Sequence, residues 1–250
     1  MNMHRYFIDL SYYGGRFSGF QIQANANSIQ AEVEKAFSVY FRRPVFLTGA
    51  SRTDTGVHAL QNFFHADFEE IVSNDALYHV NAILPYDIVI NEVRLVQSFA
   101  HCRYDAQARD YKYFLYSKKD PFLFKRAHYF PYKLDIELLN RAASCLLQYS
   151  DFSSFSKRNS QVNNYLCQIY HSQWAMEGKC LVFQVRANRF LRGMVRGLVG
   201  TMLQVGRNKL TISQFEQIIQ KKDPSLVNFS VPGHGLFLIQ VSYPDQIFQV

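Results

Sequence analysis

Two apolar periods alternate along the chain, and this limits the folds open to it more than any other feature. In RYFIDLSYY, residues 5–13, apolar and polar residues trade places at nearly every step and β-forming types dominate, the pattern of a strand. After the turn GGRFSG, SIQAEVEKAFSVYF places Ile29, Val33, Ala36, Phe37 and Tyr40 on one helical face, with Ser28 as an N-cap. PVFLTGA (44–50), QNFFHADF (61–68) and DIVINEVRLV (87–96) read as strands, and SNDALYHVNAIL (73–84) as a helix stopped near Pro85. Near residue 104 the pattern restarts. DYKYFLYS is a strand with Tyr111, Tyr113 and Leu115 on one side, and DIELLNRAASCLLQ is a helix capped by Asp135. A hairpin turns at Gly178, a helix opens near Asn188, another runs from about Ser213 to Lys221, and GLFLIQVSY is the last strand. The expectation is an α+β protein of largely antiparallel sheet with helices on one face. It divides into two domains, 1–104 and 105–250, with no residue-level repeat and no low-complexity linker between them.

A chain of 250 residues, 48% apolar, can build a core in each half. No apolar run is long enough to span a bilayer, and MNMHRYFIDL lacks the apolar stretch and small-residue cleavage site of a signal peptide. Cys102, Cys145, Cys167 and Cys180 form no C-x-x-C pair and show no metal-like spacing with histidine, so they read as reduced thiols. These features point to a cytoplasmic protein without structural metal. The formal net charge is +7, and its distribution says more than its size. From Gly178 to Phe215 there is no Asp or Glu, while Lys179, Arg186, Arg189, Arg192, Arg196, Arg207 and Lys209 fall in that span. Basic pairs recur at Arg42-Arg43, Lys118-Lys119 and Lys125-Arg126. Such clusters suit a folded surface that tracks a phosphate backbone; ordinary solvated side chains are the bland alternative.

The stretch GASRTDTGVHALQNFFHADF, residues 49–68, carries the chemistry. Asp54-Thr55-Gly56 has the form of an aspartic protease turn. That enzyme needs two carboxylates sharing one proton, and this chain has one such tripeptide, with Arg52 beside it to favour the ionised form. An ionised carboxylate in a loop between strands suits a nucleophile or an electrostatic stabiliser. Gly56 permits a tight turn or the close approach of a ligand, and His58 reads as a structural histidine holding the loop. By residue type alone, Asp54 serves a loop cap as well as a catalyst.

In NRFLRGMVRGLVGTMLQVG, residues 188–206, a helical wheel puts Leu191, Met194, Val195, Leu198 and Met202 on a buried stripe, with Arg189, Arg192 and Arg196 in a row opposite. Gly193, Gly197 and Gly200 fall beside the arginines, at a cost of roughly 0.8–1 kcal/mol each relative to alanine. Close approach of another backbone or of a nucleic acid would account for them.

Taken together, these blocks resemble the tRNA pseudouridine synthase A family. GASRTDTGVHA is similar to its G-A-x-R-T-D-x-G-V-H-A signature. LSYYGGRFSGFQIQ, ARDYKYFLY, SDFSSFSK, NRFLRGMVRGLVGTMLQVG and VPGHGLFLIQVSYP resemble its other blocks in order along the whole chain. The resemblance implies the pseudouridine synthase fold: two α+β domains with mostly antiparallel sheets joined across a central basic cleft. It implies a cofactor-independent isomerase that turns uridine into pseudouridine in the anticodon stem-loop of tRNA, at positions 38, 39 and 40, and works as a homodimer. Carried over by motif, Asp54 is the catalytic carboxylate, Tyr111 the ring that stacks on the target base, and Arg196 the guanidinium that keeps Asp54 ionised. Arg52 fills the space left by the displaced uridine. Arg189, Arg192, Gly56 and His58 join the substrate-binding set. Tyr13, Phe20, Thr55 and Gly233 depart from the usual Asp, Trp, Ala and Ala, which bears on RNA specificity more than on the reaction. Tyr113, Asp151 and His234 read as structural. A catalytically idle tRNA-binding or RNA-chaperone protein is the alternative function; pure binding gives no reason for a carboxylate facing a polyanion.

Overall fold

The computed structural model describes residues 3–157 and 164–248. They form a mixed α/β structure, mostly antiparallel, with nine strands and five α-helices among the described residues. The chain divides into two compact units, Met1–Gln107 with Leu238–Val250, and Ala108–Phe237.

The first unit contains β1 (His4–Tyr12), α1 (Ile29–Phe41), β2 (Thr48–Gly49), β3 (His58–Phe68), α2 (Asn74–Ile83) and β4 (Ile88–Leu95). β1 lies between β3 and β4, antiparallel to both, with Ile8 opposite Phe64 and Val93. β3 buries both faces, which is why QNFFHADF is almost continuously apolar. Phe64 stacks on Phe20 and Phe68 packs on Phe37 of α1, while Phe63 meets Tyr243 edge-on. The Ser28 hydroxyl accepts from the Ala31 amide, as an N-cap should. The strand expected over residues 44–50 shrinks to the two residues of β2. α1 takes the missing bonds: the Val45 amide donates to Ser38 Oγ and the Leu47 amide to Glu34 Oε1, so these residues follow the helix rather than a partner strand.

The second unit contains β5 (Ala108–Tyr116), β6 (His128–Tyr129), α3 (Ile136–Cys145), β7 (Ile169–Glu177), β8 (Cys180–Ala187), α4 (Met194–Gly206) and α5 (Ile212–Lys221). β8 runs antiparallel between β5 and β7, and the short β6 pairs with β5 in parallel. Tyr111, Tyr113 and Leu115 are all buried on one side of β5, as their alternation requires. Trp174 and Phe183 pack together in the core, and Asn140 of α3 bonds both the N–H and the carbonyl of Trp174, tying the helix to β7. The last strand, β9 (Leu236–Ser242), returns the chain to the first unit, where it lies beside β3; the Val241 amide donates to Gln61 Oε1.

The helix expected to open near Asn188 begins instead at Met194. Gly193 sits at φ +72°, the left-handed region that interrupts a helix, and the Met194 amide closes a turn onto the Leu191 carbonyl. Leu191 is buried along with Met194, Val195, Leu198 and Met202, so the apolar stripe is real although its first member precedes the helix.

Candidate active site

The Asp54 loop joins β2 to β3, and a set of buried polar groups fixes its path. Asn62 of β3, fully buried, donates through Nδ2 to the Ser51 carbonyl at 2.9 Å and to the Tyr12 hydroxyl at 3.2 Å, while its Oδ1 accepts from the Phe63 amide. The Tyr12 hydroxyl in turn bonds Thr53 Oγ1 at 2.8 Å. The Thr53 carbonyl accepts from the Phe20 amide, and the Val57 amide closes a turn onto the Asp54 carbonyl. With Thr53 held inward, the neighbouring Arg52 is exposed and Asp54 half-buried. Gly56, at φ +77°, makes the turn that a β-carbon would strain.

His58 is buried and accepts the Gly14 amide on Nδ1 at 3.0 Å, and the Tyr13 ring stacks on it at 4.5 Å. This is the loop-holding role read from the sequence, and it gives the unusual Tyr13 a place. Thr55 donates its hydroxyl to the Ser18 carbonyl, and Phe20 fills a buried site against Phe64. Arg16 and the buried carboxylate of Asp87 form a two-pronged ion pair at 2.6 and 2.8 Å that pins the Gly14–Arg16 turn over this loop. Tyr12, Thr53 and Asn62 escaped the sequence reading; an asparagine inside a strand that is otherwise apolar was the only available signal.

In the second unit, Tyr111 of β5 is buried opposite Val185, with Phe190 edge-on to its ring at 5.1 Å. Arg109 donates to the Asn188 carbonyl and fixes the segment that carries Phe190, Arg189 and Arg192. Arg196 lies on α4 and donates through Nε to the Val231 carbonyl at 2.8 Å and through Nη2 to the Phe229 carbonyl at 3.4 Å. The expected row of three arginines on one helix is overturned. Only Arg196 is on the helix; Arg189 and Arg192 precede Gly193, where Arg189 donates to Asn164 Oδ1 and Arg192 is exposed. The helix glycines have a structural reason: a β-carbon on Gly200 would collide with the Asn228 carbonyl, and one on Gly197 would press on Phe229 and Val227. The close backbone is the chain's own.

The other residues read as structural are so placed. The Tyr113 hydroxyl donates to the Pro232 carbonyl, and burial pushes the phenol well above its usual range. Asp151 accepts from Ser153 and pairs with Lys222 at 2.7 Å; burial lowers the proton affinity of His234. The loop residues Arg52, Asp54, Gly56 and His58 thus belong to the first unit, and Tyr111, Arg189, Arg192 and Arg196 to the second.

One grouping was not legible in the cysteine spacing. His65, His101 and Cys102 bring ring nitrogens and the thiol within 4.8 Å of one another. Hydrogen bonds already engage all three: His65 Nδ1 lies 3.2 Å from the thiol and accepts the Cys102 amide, the thiol donates to the Thr48 carbonyl, and His101 Nδ1 accepts the Arg103 amide. Burial holds His65 down to about 4, so it is neutral at physiological pH.

Known proteins agree with the motif reading. The sequence model of a family described as tRNA pseudouridine synthase matches residues 142–244. A tRNA pseudouridine synthase A of Parabacteroides distasonis is 45% identical over 250 residues, covering 99% of both chains. That of Bacteroides thetaiotaomicron is 44% identical over 98% of this chain and 93% of the relative, and that of Staphylococcus saprophyticus 34% identical over the same shares. The chain belongs to the tRNA pseudouridine synthase A family. Membership makes it one of a family of uridine-to-pseudouridine isomerases, and its residue-level departures at Tyr13, Phe20 and Thr55 are absorbed by packing within the first unit. No helix among the described residues is long and apolar enough to cross a membrane.

Proposed function

We propose that this chain isomerises uridine to pseudouridine in the anticodon stem-loop of tRNA, at positions 38, 39 and 40, with Asp54 as the nucleophile. Full-length similarity to synthases, at 45% identity across 99% of both chains, carries the reading. The loop geometry supports it, because a half-buried carboxylate on a path fixed by Asn62, Tyr12 and Thr53 is preorganised for work at one place.

The reaction breaks the bond from C1′ to N1 of uracil, rotates the base, and forms the bond from C1′ to C5; C5 loses a proton and N1 gains one. Atoms and electrons balance without a redox partner or co-reactant. A duplex hides these atoms, so the nucleotide must leave its stack at a cost of a few kcal/mol, supplied by contacts along the phosphates. Asp54 attacks C1′ or C6, or assists loss of the C2′ proton. Arg196 keeps the carboxylate ionised, Tyr111 stacks on the detached base, and Arg52 enters the vacated space. Arg189 and Arg192 contact phosphates, with Gly56 and His58 shaping the loop. The enzyme works in the cytoplasm as a homodimer, with residues 1–104 carrying the aspartate loop and 105–250 the tyrosine strand and the arginine helix, the two meeting at a basic cleft.

Chemical mapping of pseudouridine in tRNA treated with wild type and Asp54→Asn tests this. Product at positions 38–40 from wild type and none from the variant is expected. No product from either leaves the tRNA-binding or chaperone alternative, and equal product from both removes Asp54 from the mechanism.

A further inference from the structure

Beside the Asp54 loop the first unit contains a cavity of about 260 Å³. Arg52, Arg103, Gln21, Gln30, His101 and Tyr104 line it, over an apolar patch that includes Phe20. Asp54 is not part of the lining, and neither is any other carboxylate among the described residues. Two guanidiniums therefore share one concavity with no acid to neutralise them. Burial first, and the charge of Arg103 second, weaken the hold of Arg52 on its proton, a measure of how close the two cations stand. Among the described residues Arg52 makes no hydrogen bond or ion pair.

Paired guanidiniums without a carboxylate suit a phosphate, which accepts their forked donors. The aromatic part has the complementary chemistry. Tyr104 is 75% exposed, an unusual state for a ring of its size, with the His101 ring 4.2 Å behind it and the Arg103 guanidinium 5.9 Å from its centre. His101 is held below its ordinary value mainly by burial, so the tyrosine is backed by a neutral ring. An exposed ring supported in this way is a platform for a base, and the amides of Gln21 and Gln30 can pair with a base edge. The volume falls below the roughly 300–1,000 Å³ of pockets that enclose a whole small molecule, which favours one residue of a polymer over a free nucleotide.

We propose that this cavity is a nucleotide subsite for the tRNA residue next to the target uridine, with Arg52 and Arg103 holding its phosphate and Tyr104 stacking on its base. The proposal rests on the synthase reading and adds Arg103, Tyr104 and the glutamines to the substrate-binding set.

Binding of an unmodified tRNA transcript to wild type, Arg103→Gln and Tyr104→Leu, measured across a salt series, tests it, with thermal unfolding to verify folding. Arg103→Gln should weaken binding about tenfold and reduce the salt slope by about 0.7–0.9, one phosphate contact. Tyr104→Leu should weaken binding about tenfold with the slope unchanged. If Arg103→Gln does not fold, the exposed Tyr104 decides. Folded variants that bind with wild-type affinity and slope would overturn the subsite. So would saturation by micromolar uridine 5′-monophosphate that leaves tRNA binding untouched, since the cavity would then serve a free nucleotide. Pseudouridine formation by wild type, followed in parallel, separates the two proposals. Product from wild type with unimpaired variants sinks the subsite alone. No product from wild type, with both variants defective in binding, sinks the synthase reading and leaves the subsite standing.

Discussion

Replacing Gly200 by alanine sets two physical effects against each other. Gly200 lies inside α4, where alanine is intrinsically favoured by about 0.8–1 kcal/mol. On helix propensity alone the substitution stabilises. The structure reverses the sign. A β-carbon on Gly200 would stand well inside contact distance of the Asn228 carbonyl oxygen and 3.2 Å from its carbonyl carbon, and both are backbone atoms without a rotamer to swing away. To restore ordinary contact the 227–229 segment must retreat by about 1 Å, an overpacking cost of about 1–3 kcal/mol. The retreat also stretches the bonds between Asn228 and α4, where its amide donates to Thr201 Oγ1 and its Nδ2 to the Gly200 carbonyl, each at 3.3 Å. These contribute about 1 kcal/mol apiece. After the propensity gain is subtracted, a net loss of about 2–4 kcal/mol remains, or roughly 5–15 °C in Tm for a chain of this size. Because the same segment supplies the Phe229 and Val231 carbonyls that hold Arg196, turnover should fall by more than the loss of folded protein explains. Thermal and urea unfolding, with single-turnover pseudouridine formation on the folded fraction, check this. A Gly200→Ala protein as stable as wild type, or more so, would refute the close-approach argument and leave propensity as the governing term.

Asn62→Ala should cost about 2–4 kcal/mol, because it strips partners from the Ser51 carbonyl, the Tyr12 hydroxyl and the Phe63 amide inside a closed core; hydrogen exchange should accelerate first in residues 51–57, and uniform exchange would count against the loop role. The pH dependence of stability should carry the mark of His65. Unfolded, its imidazole takes up a proton near 6.5; folded, burial holds it at about 4, so its contribution is intact above pH 6.5 and is lost as the pH falls toward 4. A loss of about 2–3 kcal/mol over that window is expected, smaller in His65→Asn, where an amide oxygen can still accept from Cys102. Equal slopes for the two proteins in acid unfolding would assign the effect to other groups, of which His128, also held at about 4, is the first to examine.

Local chemistry alone determined much of this protein. The caps at Ser28, Ser73, Asp135 and Thr211 each accept the backbone donor their type favours, and Gly178 turns its hairpin at φ +58°, because these events are settled within a few residues. The Arg52 to His58 motif marked the reactive loop for the same reason, since its meaning lies in contiguous residue types. Tertiary structure decided what depended on distant partners. Nothing local distinguishes Leu191, ahead of a left-handed Gly193, from the first turn of a helix, so the apolar stripe ran on and the arginine row was drawn where none forms. The backbone amides of 45–47 found acceptors on α1 rather than on a strand. Arg103 joins Arg52 at one cavity, and Asn62 braces Ser51, only because the sheet folds these segments back on one another. Side chains far apart in sequence meet through the burial of apolar faces that say nothing of their polar neighbours, so those meetings could be read only from the folded chain.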